Sequence, residues 1–139
     1  MAANTTPIFP LTPFTSWVNV AGLVANTTVN LIAGTNYDSG FTAGINGARI
    51  DFVRCRTLGT NAATVVRVWL NNGSTTATAA NNTLFYERTL AATTVSQTAE
   101  QADIMIPMNV SVPTGYKVYF TFGTAIAAGY DLTTVGGNY

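Results

Sequence analysis

From Ser16 onward, β-branched and aromatic residues fall in short runs separated by glycine and asparagine, and no segment repeats its apolar positions at the helical period. The pattern predicts strands near Ser16–Ala21, Thr27–Ala33, Ala48–Leu58, Ala63–Asn71, Thr83–Ala91, Ala102–Met108, Gly115–Phe122 and Tyr130–Val135. Alternation assigns faces. Val66, Val68 and Leu70 share one side of their strand and oppose Val65, Arg67 and Trp69; Ile104, Ile106 and Met108 alternate with Asp103 and Met105; Tyr116, Val118, Phe120 and Phe122 oppose Lys117, Tyr119 and Thr121. In Ala48–Leu58 the alternation slips, with Ile50 on one parity and Val53 and Cys55 on the other, so a β-bulge is expected near Phe52 or Val53. Asn46-Gly47, Gly59-Thr60-Asn61, Asn72-Gly73 and Pro113-Thr114-Gly115 carry turn chemistry. The stretch from Asn71 to Asn82 is expected to be an exposed loop suited to making contacts.

This reading gives one all-β domain, a single antiparallel β-sandwich of about eight strands, jelly-roll-like, over residues 16–139. Residues 1–15 form a separate element. Pro7, Pro10 and Pro13 recur at every third position with Ile8, Phe9, Leu11 and Phe14 between them. Proline fixes φ and biases the residue before it toward extended backbone, so the segment is expected to be an extended arm. A solvated tail has little use for four large apolar side chains, and these are the predicted protein-interface residues.

Composition narrows the function. The chain of 139 residues carries six basic and six acidic side chains, a formal net charge of zero. Without a basic excess to neutralise phosphates, nucleic acid is not an expected partner. A surface so poor in charge also lacks repulsion between copies, which favours assembly. Histidine is absent and Cys55 is the single cysteine, so histidine-dependent nucleophiles, cysteine metal clusters and internal disulfides are excluded. Asp38, Asp51, Glu87, Glu100, Asp103 and Asp131 form no local acid pair or calcium-binding run. No enzyme activity, cofactor or metal is therefore expected. The start of the chain lacks a secretory leader and no stretch suits a membrane span, so a protein made in the cytoplasm, with no membrane partner, is expected. Arg49, Arg54, Arg56, Arg67 and Arg88 form a basic patch only if their strands adjoin, and otherwise suit ion pairs or subunit contacts. Trp17, Trp69, Tyr37 and Tyr86 leave open a carbohydrate-binding module that serves host attachment, against the plainer account of packing.

Several stretches resemble a group of small phage and prophage proteins. They are Asn4-Thr5-Thr6-Pro7-Ile8-Phe9, the run from Leu58 to Arg67, Asn71-Asn72-Gly73-Ser74, Pro113-Thr114-Gly115-Tyr116 and Gly136-Gly137-Asn138-Tyr139, spread over nearly the whole chain. The resemblance implies a virion structural protein of a tailed phage, similar to the cement or decoration proteins that cap capsid shells. Its implied partner is the major capsid protein, its implied state a homotrimer, and its implied location the capsid surface after synthesis in the host cytoplasm. Some similar proteins belong with tail components, so a tail or baseplate subunit is the alternative.

Overall fold

A computed structural model describes residues 9–31 and 37–139. Eight strands make up the fold: β1 (Thr12–Val20), β2 (Tyr37–Thr42), β3 (Ala48–Thr57), β4 (Thr64–Asn71), β5 (Asn82–Leu90), β6 (Asp103–Val112), β7 (Lys117–Phe122) and β8 (Tyr130–Asn138). They form two four-stranded antiparallel sheets, β1-β8-β3-β6 and β2-β7-β4-β5. β1 pairs with β8, β2 with β7, β3 with β6 and β4 with β5, like one long hairpin rolled up on itself. That order is a jelly roll, the double Greek-key form of the expected sandwich.

The core lies between the sheets and obeys the alternation read from the chain. Val66, Val68, Ile106, Met108, Val118, Phe120, Phe122 and Leu132 are buried. The expected bulge is present. β3 shifts register against both neighbours between Ile50 and Phe52, which sends Ile50, Val53 and Cys55 to the same core. The Asn46-Gly47 turn is equally legible: Gly47 has φ +83°, and a Cβ there would sit 2.5 Å from the Val112 carbonyl oxygen, so only glycine fits.

Two differences from the sequence reading matter. β1 begins at Thr12 rather than Ser16, pairing Thr12 with Asn138 and Phe14 with Gly136. The strand expected over Thr27–Ala33 is not formed in its described part, Thr27–Leu31; Ile32 and Ala33 lie outside the described residues. Val29 has φ +51°, which no strand accommodates. Instead residues 21–31 lead onto the outer face of the second sheet, where Leu31 is buried with Trp69 and Tyr119 against Leu84. The second strand of the sandwich is β2, which the sequence pattern did not mark.

Candidate interaction surface

The connection after β1 covers part of one outer face of the sandwich. The guanidinium of Arg67, almost fully buried, donates from Nη1 to the Asn26 carbonyl at 2.8 Å and from Nε to Glu87 at 3.0 Å. The Trp69 indole donates to Thr121 Oγ1 at 2.9 Å. Asn82 Nδ2 donates to the Leu31 carbonyl and fastens that residue to the second sheet. The loop from Asn71 to Asn82 is exposed, as expected, at residues 72–75 and 77–80, and its own side chains brace it: Asn71 donates to Asn82 Oδ1 at 2.7 Å, Asn81 donates to the Thr75 carbonyl at 2.8 Å, and a 3-10 turn spans Ala79–Asn81.

The opposite outer face, on β1-β8-β3-β6, carries exposed side chains. Strand register sorts them into rows. Across the sheet, Trp17 lies beside Thr133, Thr133 beside Arg54 and Arg54 beside Met105. One row away are Asn19, Asp131, Arg56 and Asp103; on the other side are Thr15, Val135, Phe52 and Pro107. Trp17 is 68% and Met105 60% exposed, a large aromatic and a thioether on an open sheet face. Arg54 bonds Asp103 through Nε at 2.9 Å. That bond holds the Asp103 carboxyl below the usual carboxylate range and raises the guanidinium in turn. Arg49 pairs with Asp51 at 2.9 Å. The arginines therefore do not form one patch: Arg49, Arg54 and Arg56 are on β3, while Arg67 is on β4 in the other sheet.

The N-terminal residues lie beside this face. Leu11 N–H donates to the Asn138 carbonyl at 2.8 Å, and Pro10 packs over Gly137, where a Cβ would come within 2.5 Å of the Pro10 Cβ. Phe9 is 70% and Leu11 82% exposed. Phe14 is half-buried and stacks on Phe41 with centroids 4.0 Å apart, so its ring is used inside the sandwich. Ile8 lies outside the described residues. The aromatic set that suggested carbohydrate binding is dispersed: Trp69 is buried, Tyr86 packs against the core, the Tyr37 side chain is outside the described residues, and Trp17 is open. Sequence reasoning missed the row through Trp17 and Met105, because their strands become neighbours only through the sheet order.

Cys55 is buried, and desolvation followed by the nearby Asp131 charge pushes its thiol up to about 12. Such a thiol is inert. Among the described residues no group of three or more His, Cys, Asp or Glu side chains is placed to hold a metal, and no helix is long and apolar enough to cross a membrane.

The fold defines an eight-stranded jelly roll with one open sheet face. No protein-family model matches the chain, and neither does any curated protein. Among solved structures it is similar to a mutant VP2 protein of infectious bursal disease virus in derived T=1 particles, with TM-score 0.34 and 12% identity over 99% of this chain and 36% of that one. Structures of the Gx and Gt strains of the same virus give TM-scores of 0.30 and 0.29 at 15% and 11% identity, covering 91% and 94% of this chain and 33% and 30% of theirs. The chain spans about a third of the length of these proteins, and similarity at this level carries no argument about its function.

Proposed function

We propose that this protein is a non-enzymatic virion structural subunit, a capsid cement or decoration protein of a tailed phage that binds the major capsid protein. It is a homo-oligomer made in the host cytoplasm and seated on the capsid surface. The observation that carries the reading is the pair Phe9 and Leu11, two large apolar residues exposed to solvent where the Leu11 amide ties the chain to β8. Fully burying each in a neighbour contributes about 1.5–3 kcal/mol, and the tie at Leu11 lowers the ordering cost of the contact. The resemblance to phage virion proteins supplies the partner. A subunit that bridges several capsid proteins adds interface where the shell separates under internal pressure, and each contact after the first forms at high effective concentration.

Particles lacking the protein are the substrate for the test. Co-sedimentation with wild-type protein is expected, and Phe9→Asp/Leu11→Asp protein, with an unchanged unfolding midpoint, is expected to stay in the supernatant. Undiminished binding of the double variant would overturn the proposed contact. Reconstruction of the particle by electron cryomicroscopy separates the readings: density over capsomer junctions supports cement, whereas density confined to the tail makes the protein a tail or baseplate subunit.

A further inference from the structure

We propose that the open face of β1-β8-β3-β6 is a self-complementary interface on which a second copy of this chain docks about a two-fold axis. The axis runs parallel to the strands and passes between β8 and β3. The inference stands apart from the capsid reading and uses only the register of this sheet.

A two-fold so placed brings β1 over the partner's β6 and β8 over the partner's β3, and leaves each cross-strand row facing itself. The chemistry then matches row by row. Trp17 meets the partner's Met105, an aromatic against a polarisable thioether. Val135 meets the partner's Phe52, and Asp131 meets the partner's Arg56. The last pair joins opposite charges that stay apart in the single chain: Asp131 is half-buried, with Oδ1 shielded from solvent, and makes no ion pair among the described residues. Arg56, its exposed cross-strand neighbour, makes no ion pair among them. The face as a whole is balanced, with Arg49, Arg54 and Arg56 against Asp51, Asp103 and Asp131, so one copy meets another without net repulsion.

The area suffices. Strands about 4.8 Å apart rising about 3.3 Å per residue make four strands of nine or so residues a face of about 600 Å² per copy, or about 1,200 Å² in all, the lower bound for a specific interface. Trp, Met and Arg are the residue types enriched at the centres of such interfaces.

Sedimentation velocity on the isolated full-length protein tests the proposal. Wild type is expected to sediment as a dimer and Trp17→Lys as a monomer with an unchanged unfolding midpoint. Arg56→Asp alone, which sets two like charges face to face at two symmetric places, is expected to raise the dimer dissociation constant by about tenfold or more. The exchange Arg56→Asp/Asp131→Arg is expected to restore it. A monomer at every concentration, a trimer, or a dimer indifferent to Trp17→Lys and to Arg56→Asp would each overturn the proposal. Particle binding is measured separately, so failure here leaves the cement reading standing, and the reverse also holds.

Discussion

Single residues hold the connections of this sandwich together, and Asn61 shows how. Its side chain is buried; Oδ1 accepts from the Gly129 and Ala128 backbone N–H groups at 3.0 and 3.2 Å, and Nδ2 donates to the Gly129 and Gly59 carbonyls at 3.0 and 3.3 Å. One amide joins the turn after β3 to the entry of β8. Asn61→Ala leaves several buried backbone groups unpaired and is expected to cost about 2–4 kcal/mol, checked by urea denaturation. Cys55 makes a second residue-scale prediction. Its folded thiol titrates at about 12, above the ordinary value of 9.0, so the folded state retains a proton that the unfolded chain releases. The contribution of this thiol is full below pH 9 and is lost through the window from 9 to about 12, at a limiting slope of about 1.4 kcal/mol per pH unit. Tyr130, raised by burial, adds loss of the same sign at higher pH. Denaturation across that range is expected to show a shallower decline in Cys55→Ala, and the native wild-type thiol is expected to resist Ellman's reagent at neutral pH.

At the scale of elements, β1 ties the N-terminal region into the sandwich from Thr12 onward. Thr12 to Val20 pair with β8, and Phe14 stacks on Phe41, so Phe14→Ala is expected to destabilise by about 2–3 kcal/mol in thermal unfolding, as loss of a half-buried ring does. Deleting residues 2–9, which precede the Leu11–Asn138 hydrogen bond, is expected to leave the unfolding midpoint almost unchanged. Seven of the strands were legible in the sequence because their alternation agrees with their burial. β2 was not. Tyr37-Asp38-Ser39-Gly40-Phe41-Thr42 reads as a turn, yet Gly40 is in the strand because a Cβ there would meet the Phe120 ring at 2.1 Å. Packing selected a residue of poor strand propensity. Thr27 to Leu31 misled in the opposite sense: Leu31 is apolar because it covers the outer side of a sheet from a connection. Of the candidate surface, Phe9 and Leu11 could be read from large side chains set among prolines. Trp17 and Met105 could not be placed on one face, since local periodicity does not encode the order β1-β8-β3-β6.

The whole molecule is a nest of pairings, and that order governs how it assembles. β4 and β5 are joined by the connection from Asn71 to Asn82, themselves partners, whereas β1 and β8 meet first at Val20 and Tyr130, about ten times farther apart along the chain. Loop-closure entropy growing as 1.5RT times the logarithm of length makes the outer pairing about 2 kcal/mol more costly to start from the open chain. Closing β4 on β5 first, then β3 on β6, shortens the loops that remain for β2-β7 and β1-β8. A nucleus around the inner pair is therefore expected, with overall refolding in the millisecond-to-second range of sheets built from distant pairings. Stopped-flow fluorescence can follow it through Trp69, which is buried and hydrogen-bonded to Thr121 in the native state. Val66→Ala on β4 is expected to slow folding in proportion to its loss of stability. Val18→Ala on β1 is expected to leave the folding rate nearly unchanged and speed unfolding. The reverse partition would mean that the chain ends meet first and that the hairpin nest closes from the outside in.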